Sequence, residues 1–422
     1  MTSSVVTLIV QIVVIILAAT GVGVLFQKIK QPRVIGEMVA GILLGPSLLG
    51  WLAPNLSAIL FPPASLSYLN TLSQIGIIIY MFLVGLALNP KELRRHGHAA
   101  VLTSHVSIVV PFVVGALLAL YLYPRLSDDS VTFTAFALFM GAAMSITALP
   151  VLARILTERN MLGSRLGTLA IACAAVDDIT GWYILAALMV LIRAQRGPMS
   201  VWLTIIGSPA YALFMVYGVR RLLRRFQTVY QERGCLSQEM TALLVLVALA
   251  SALATQRLGI HFVFGAFLVG AIMPKDRRFV RHVVDKFESL TMILFLPLFF
   301  VFTGLRMSIN AMRGGQLWFY CLAIIVVAVT GKLGGSMMAA RAAGVPWREA
   351  AGLGILMNTR GLIELVVLNI GLDIGVISPV LFSMMVLMAL VTTFMTTPLL
   401  EWLCPGRRLQ EELWDLSAEQ VA

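Results

Sequence analysis

Charge is what this chain has least of. Asp, Glu, Lys and Arg together make up only 12% of its 422 residues, roughly half the share that coats an ordinary soluble domain, so a water-exposed globule is excluded. Acids are scarcer than bases, 20 against 31. Cysteine is scarce too. Cys173, Cys235, Cys321 and Cys404 stand far apart with no CxxC or Cys/His spacing, which argues against a metal site or a disulfide framework and reads as small core residues. A phosphate loop is also missing. "TGKLGG" lacks the Ser/Thr and the spaced upstream glycine of such a loop, and "GVGVLF" at Gly21 sits in a helical run with no strand before it, so no nucleotide cofactor is expected.

What fills the chain instead is apolar. Hydrophobic residues reach 59% and the mean hydropathy is +0.93, the composition of an all-α, polytopic membrane protein. A span needs about 20 mostly apolar residues, and breaking the chain at its charged and Pro/Gly-rich joints predicts about thirteen of them. They run near 5–27, 34–50, 66–89, 98–122, 131–156, 164–192, 198–219, 237–255, 259–273, 288–305, 316–340, 347–371 and 378–403. The first apolar run is long enough to span and lacks a basic leader or a small-residue cleavage site, so it is expected to remain as span one and not to leave as a signal peptide.

The joints test that count independently of hydropathy. Of the 31 basic residues, 23 fall on one set of alternate joints and six on the other. One span more or fewer would swap the sides of every later joint and erase the asymmetry. The bias places the amino terminus outside and the carboxy terminus in the cytoplasm of an inner or plasma membrane. The formal charge of +11 is then topology, with no nucleic-acid partner required, and the dense "RRLLRRF" run after span seven meets lipid headgroups.

Two bases remain, Lys332 and Arg360, and both lie inside predicted spans. With them belong Asp177, Asp178 and Glu364. An ionised side chain at the centre of a bilayer costs about 2.5 to 3.5 kcal/mol on insertion scales, so such residues are candidates for function, although a buried ion cluster that merely fixes helix packing is the plainer reading. Adjacent helical residues point about 100° apart, so Asp177 and Asp178 cannot address one partner from one face. One can hold a lysine while the other faces water. Arg360 and Glu364 are four apart, stacked on one face, where they pair with each other or brace a crossing. His105 in span four reads as a pH sensor or as a packing hydrogen-bonder, and Glu37 in "GEMVAG" as structural.

Two spans are interrupted. "SITALPV" places Pro150 in the middle of an apolar run, with the Thr147 hydroxyl near the carbonyls that the proline frees. "MNTRG" interrupts the twelfth span with Asn358, Thr359 and Gly361. The two are seven spans apart, so equivalent helices run in opposite directions. That implies an inverted repeat of six helices with two broken helices that cross, whose ends need counter-charges and whose unwound carbonyls can bind a small cation.

The stretches "QPRVIGEMVAGILLGPSLLG", "GAAMSITALPVLARIL", "AAVDDITGWYILA" and "LMNTRGLIELVVLNIGL" resemble the monovalent cation:proton antiporter-2 family of Kef-type antiporters, plant cation/proton exchangers and bacterial sodium/proton antiporters. The resemblance covers nearly the whole chain. It implies a homodimer in a lipid membrane that exchanges Na+ or K+ for H+ by an elevator movement of a core domain against a dimerisation domain. The dimerisation domain is expected over 1–95 and 236–313, the core over 96–192 and 314–404, a linker helix over 193–235 and a short cytoplasmic tail over 405–422. Carried over by position, Asp178 is the ligand of the monovalent cation and the proton carrier, Asp177 pairs with Lys332, and Thr147, Pro150, Asn358, Thr359, Arg360 and Glu364 line or support the crossover. Relatives with two aspartates and the lysine are electrogenic, which sets that expectation here. Kef-type members append a nucleotide-binding domain, and none is expected in this chain.

Rival functions lack their marks. A cation channel would pass current without proton coupling, and no TVGYG-like filter is present. A sodium-coupled organic-anion symporter has no need of a lysine beside an acid pair. An intramembrane aspartyl protease requires aspartates on two helices, one in a GxGD setting, so no enzymatic activity is expected.

Overall fold

The computed structural model describes residues 4–87, 97–128, 131–159, 161, 164–194, 198–258 and 261–403. The tail expected over 405–422, Cys404, and the basic joint of Lys91, Arg94 and Arg95 lie outside the described residues. Among the described residues every regular element is a helix. Ten helices are long and apolar enough to cross a membrane, or up to eleven if a bent pair counts as one span.

In chain order the longer helices are α1 (Ser4–Lys28), α2 (Arg33–Leu44), α3 (Pro63–Ala87), α4 (Gly97–Leu126), α5 (Phe133–Ser145), α6 (Leu149–Glu158) and α7 (Arg165–Ala194). After them come α8 (Pro198–Phe214), α9 (Arg220–Arg233), α10 (Gln238–Arg257), α11 (Phe262–Ile272), α12 (Arg277–Leu290) and α13 (Leu296–Leu305). The last are α14 (Gly315–Val329), α15 (Gly335–Ala342), α16 (Trp347–Met357), α17 (Leu362–Asp373) and α18 (Pro379–Leu403). Single turns of π-helix join α8 to α9, α12 to α13 and α14 to α15. The predicted ninth span is realised by α11, whose 11 residues extend only about 16 Å at 1.5 Å per residue, well short of the hydrocarbon thickness.

The chain forms two compact units. The first comprises Met1–Ala18, Asn55–Pro90 and Ile184–Phe302. Lipid tails are as apolar as leucine, so helices here gain from close backbone approach and not from hydrophobic burial. The crossing of α3 and α11 shows it: a Cβ at Gly85 would stand 2.1 Å from the Phe267 carbonyl oxygen, and one at Gly270 2.1 Å from that of Phe82. Lys275 then ties the carboxyl ends of both helices, donating to the carbonyls of Gly85, Leu86 and Gly270, each at 2.9 Å. The last carbonyls of a helix carry the negative end of its dipole, and a cation offers them both hydrogen bonds and the opposite charge. Burial, with Arg220 adding to it, lowers the Lys275 ammonium from 10.5 to about 8.

The second unit comprises Ala19–Pro54, Lys91–Tyr183 and Thr303–Ala422, and it holds every residue of the predicted crossover. Its apolar core gathers Leu152, Leu156, Ala170, Cys173, Leu353 and Leu356 from α6, α7 and α16. Glu37 is buried and pairs with Arg33 one turn earlier on α2, at 3.1 Å. His105 lies on the exposed face of α4.

Candidate functional site

Both interruptions are breaks, and they meet. Between α5 and α6 the backbone is extended at Ile146 and Ala148. Between α16 and α17 the chain unwinds over Asn358–Gly361, with a bend of 41°. The Ala148 amide donates to the Thr359 carbonyl at 3.0 Å and joins the two. Gly361 permits this approach, since a Cβ there would stand 2.7 Å from the Val151 side chain. Thr393 of α18 fastens the second break from behind: its hydroxyl accepts from the Arg360 amide at 2.9 Å and donates to the Arg360 carbonyl at 2.7 Å.

Pro150 lies just after the first break. It sits in the first turn of α6, where an amide has no intrahelical partner to lose, so it starts a helix after the break instead of bending one. Thr147 also serves a carbonyl other than the expected one. Its hydroxyl reaches the carbonyl of Met357, the last residue of α16, at 3.0 Å and Asp177 Oδ2 at 2.8 Å.

Helix ends explain the cations. The last carbonyls of a helix are orphaned and carry the negative end of its dipole. At the end of α5, Arg360 Nη1 and Nη2 donate to Ala143 and Met144 at 3.0 and 2.7 Å, and Lys332 Nζ donates to Ser145 at 2.5 Å. Lys332 reaches this point from the π-turn Thr330–Gly334, and such turns are frequent at functional sites. Arg360 also pairs with Glu364 at 3.3 Å, both fully enclosed, and Glu364 lies in the first turn of α17, the end where a negative charge is favoured.

The two aspartates divide as their 100° offset implies. Asp177 Oδ2 accepts from Lys332 Nζ at 2.7 Å, from the Thr147 hydroxyl and from the Ser107 hydroxyl at 3.1 Å, while Oδ1 accepts from the Ser104 hydroxyl at 2.6 Å. Lys332 additionally meets the Ser107 carbonyl at 2.9 Å. Asp178 is equally enclosed, at 0% exposure, but among the described residues neither of its oxygens has a hydrogen-bond partner. The Leu149 amide, first of α6, faces its carboxyl without closing a bond. Asn358 Oδ1 and Thr359 Oγ1 are likewise buried and unpartnered. Hard oxygens of this kind suit a small cation.

Ser104 and Ser107 of α4 are absent from the sequence reading. Their signal, two serines three apart on one helical face in "LTSHVSIVV", is a weak one, because single serines pack harmlessly in many membrane helices.

Two broken helices that cross beside a buried acid pair and a lysine define a secondary ion transporter. The sodium/hydrogen exchanger transmembrane family matches residues 12–403, and the chain belongs to that family, in agreement with the resemblance carried by its motifs. It is 43% identical over 406 residues to the Na+/H+ antiporter NhaS4 of Synechocystis, with 96% of this chain and 99% of that protein covered. It is 40% identical over 404 residues to cation/H+ antiporter 17 of Arabidopsis thaliana, covering 95% of this chain and 49% of the relative. With the K+/H+ antiporter 1 of Saccharomyces cerevisiae it shares 34% over 402 residues, covering 94% and 46%. The fold matches the sodium proton antiporter MjNhaP1 of Methanocaldococcus jannaschii with a TM-score of 0.66 at 14% identity, over 94% of this chain and 97% of the other.

Proposed function

We propose that this protein exchanges a monovalent cation, Na+ or K+, for protons, and that the two compete for the Asp178 carboxyl. The observation that carries the reading is the contrast within one acid pair: Asp177 accepts from four donors, whereas both oxygens of Asp178 are enclosed and have no hydrogen-bond partner among the described residues. A bare carboxylate in so dry a place is costly. A proton neutralises it, and so does a cation, with Asn358 and Thr359 offering further oxygens. Relatives named for Na+/H+, cation/H+ and K+/H+ antiport support the same reading.

Asp178 is enclosed, so exchange requires a movement that opens it to each side in turn. We assign that movement to an elevator in which a core of 96–192 and 314–404 carries the crossover past a homodimer-forming part of 1–95 and 236–313, with 193–235 as linker. The amino terminus lies outside and the carboxy terminus in the cytoplasm of an inner or plasma membrane, on the bias of the basic joints. Exchange is electrogenic if the Asp177–Lys332 pair opens and loads a second proton in each cycle, and electroneutral if the pair stays closed.

The test is proton movement in proteoliposomes on addition of Li+, Na+, K+ or Rb+. Asp178→Asn is expected to abolish the response to every cation. Normal exchange by that variant refutes the assignment.

A further inference from the structure

Arg306 is one of only six basic residues on the outer set of joints, and the structure gives it a task. It follows the last residue of α13 and reaches the carboxyl end of α17. Its Nη2 donates to Asp373 Oδ1 at 2.5 Å and its Nη1 to Asn369 Oδ1 at 2.8 Å, while its guanidinium stands 5.9 Å from the centre of the Phe382 ring of α18. The Asn369 amide carries the contact inwards, donating to the Thr303 hydroxyl at 2.9 Å. Two residues beyond Arg306, the Ser308 amide donates to the Ser383 hydroxyl at 3.0 Å. Asp373 is the last residue of α17, an end whose dipole disfavours an acid, so a cation there offsets helix and side chain together.

The backbone on either side of Arg306 is fixed to a different helix. A Cβ at Gly304 would stand 2.6 Å from the Met38 carbonyl oxygen of α2. Just after α2, the Ser47 hydroxyl donates to the Met307 carbonyl at 3.1 Å and accepts from the Ile309 amide at 3.0 Å. Arg306 therefore belongs mechanically with α2, and reaches across to α17 and α18. All of these residues lie in the second compact unit, and the elevator proposed above divides them: Thr303, Arg306, Ser308 and α2 fall in the scaffold, whereas Asn369, Asp373, Phe382 and Ser383 fall in the core.

Resting on that reading, we propose that Arg306, clasped to Asn369 and Asp373, is the outer latch of the transport cycle: it is closed while Asp178 is shut off from the outside and must let go each time the core presents Asp178 there. The inner face is held differently. There the same boundary is crossed by Lys30–Glu401, a pair at 3.2 Å between side chains 72% and 41% exposed, where water screens the attraction. In the outer clasp Asn369 is buried and the Arg306 side chain is only 21% exposed. The latch thus biases the population against the outward-open state. An external cation binds only the fraction of molecules that have released it, and its apparent affinity is weakened by that fraction.

The test uses the full chain in proteoliposomes of known orientation. Arg306→Gln and Asp373→Asn are each expected to lower the external Na+ or K+ concentration that gives half-maximal proton movement by about three- to tenfold, the loss of a charge-assisted bond discounted for the exposure of Asp373, and to raise the internal one. Half-saturation does not depend on how much protein is active, so imperfect folding of a variant leaves the result readable. Values equal to wild type on both sides overturn the latch. A second measurement asks whether the clasp has to open. Arg306→Cys/Asp373→Cys, joined by a short reducible bifunctional thiol reagent, is expected to stop exchange and to regain it on reduction, with the single-cysteine variants treated alike as controls; exchange that continues through the link overturns the proposal. The same link in Lys30→Cys/Glu401→Cys separates the readings. If it stops exchange where the outer link does not, the latch falls and the elevator stands, and if neither link stops exchange the elevator itself is refuted. Absence of cation-driven proton movement in the wild type refutes the exchange reading.

Discussion

Removing both partners of the Arg360–Glu364 pair is expected to cost no more than removing either one. The pair stands at 3.3 Å with both side chains at 0% exposure. At an effective dielectric of about 20, two charges at that separation attract by about 5 kcal/mol. Among the described residues neither Glu364 oxygen has a well-aligned hydrogen-bond partner, so the attraction is chiefly Coulombic. Arg360→Gln therefore leaves a buried carboxylate alone, and Glu364→Gln leaves a buried guanidinium held only by the Ala143 and Met144 carbonyls. Each is expected to destabilise by roughly 3–5 kcal/mol. The double variant loses the carbonyl bonds once and no longer carries an uncompensated charge, so the coupling energy of the cycle should be roughly 3–5 kcal/mol. That is well above the roughly 0.6 kcal/mol average for interhelical hydrogen bonds in membranes. The assay is reversible unfolding in mixed micelles, with the four proteins titrated together. A coupling below about 1 kcal/mol refutes the reasoning, because it means that water already screens the pair.

Gly85→Val is expected to destabilise the first unit by at least about 1–3 kcal/mol through overpacking, because its Cβ would overlap the Phe267 carbonyl oxygen; a variant that melts with the wild type contradicts the close crossing of α3 and α11. The pH profile of stability should carry the mark of Lys275. Its folded value of about 8 lies below the ordinary 10.5, so between those limits the unfolded chain holds a proton that the folded one has released, and stability gains from rising pH there. Lys275→Met should flatten the profile between pH 8 and 10.5 relative to wild type, and equal slopes in the two proteins disprove it.

Much of this architecture is readable from composition because bilayer physics leaves few options: an apolar run must be a helix, and an ion within it must have company. Lys332, Arg360, Glu364 and the acid pair stand out on that ground alone. What the sequence leaves open is the pairing. The offset between Asp177 and Asp178 says that they differ and not which one holds the lysine, since that is decided by serines on α4 and by the end of α5, both distant along the chain. Pro150 marks the break without saying on which side of it the helix resumes, because a proline is equally at home in a kink and at a helix start. Thr147 bonds to a carbonyl 210 residues away, beyond any local reasoning. The shortness of α11 is legible, since Arg257 and Lys275 bound the apolar run that contains it.

The crossing obeys one electrostatic rule, and the rule isolates a single group. Breaking two helices creates two carboxyl ends and two amino ends. The carboxyl end of α5 is met by Lys332 and Arg360, and that of α16 shares the single Thr147 hydroxyl proton with Asp177. The amino end of α17 carries Glu364, which Arg360 balances, and the amino end of α6 faces Asp178. Asp177 is balanced by Lys332. Among the described residues every charge at the crossing thus has an opposite charge in contact except Asp178, which has a helix end, worth about half an elementary charge. Half a charge attracts a carboxylate without neutralising it. On the exchange reading this deficit is the working feature: it leaves room for one positive guest and holds neither guest so firmly that the other cannot displace it.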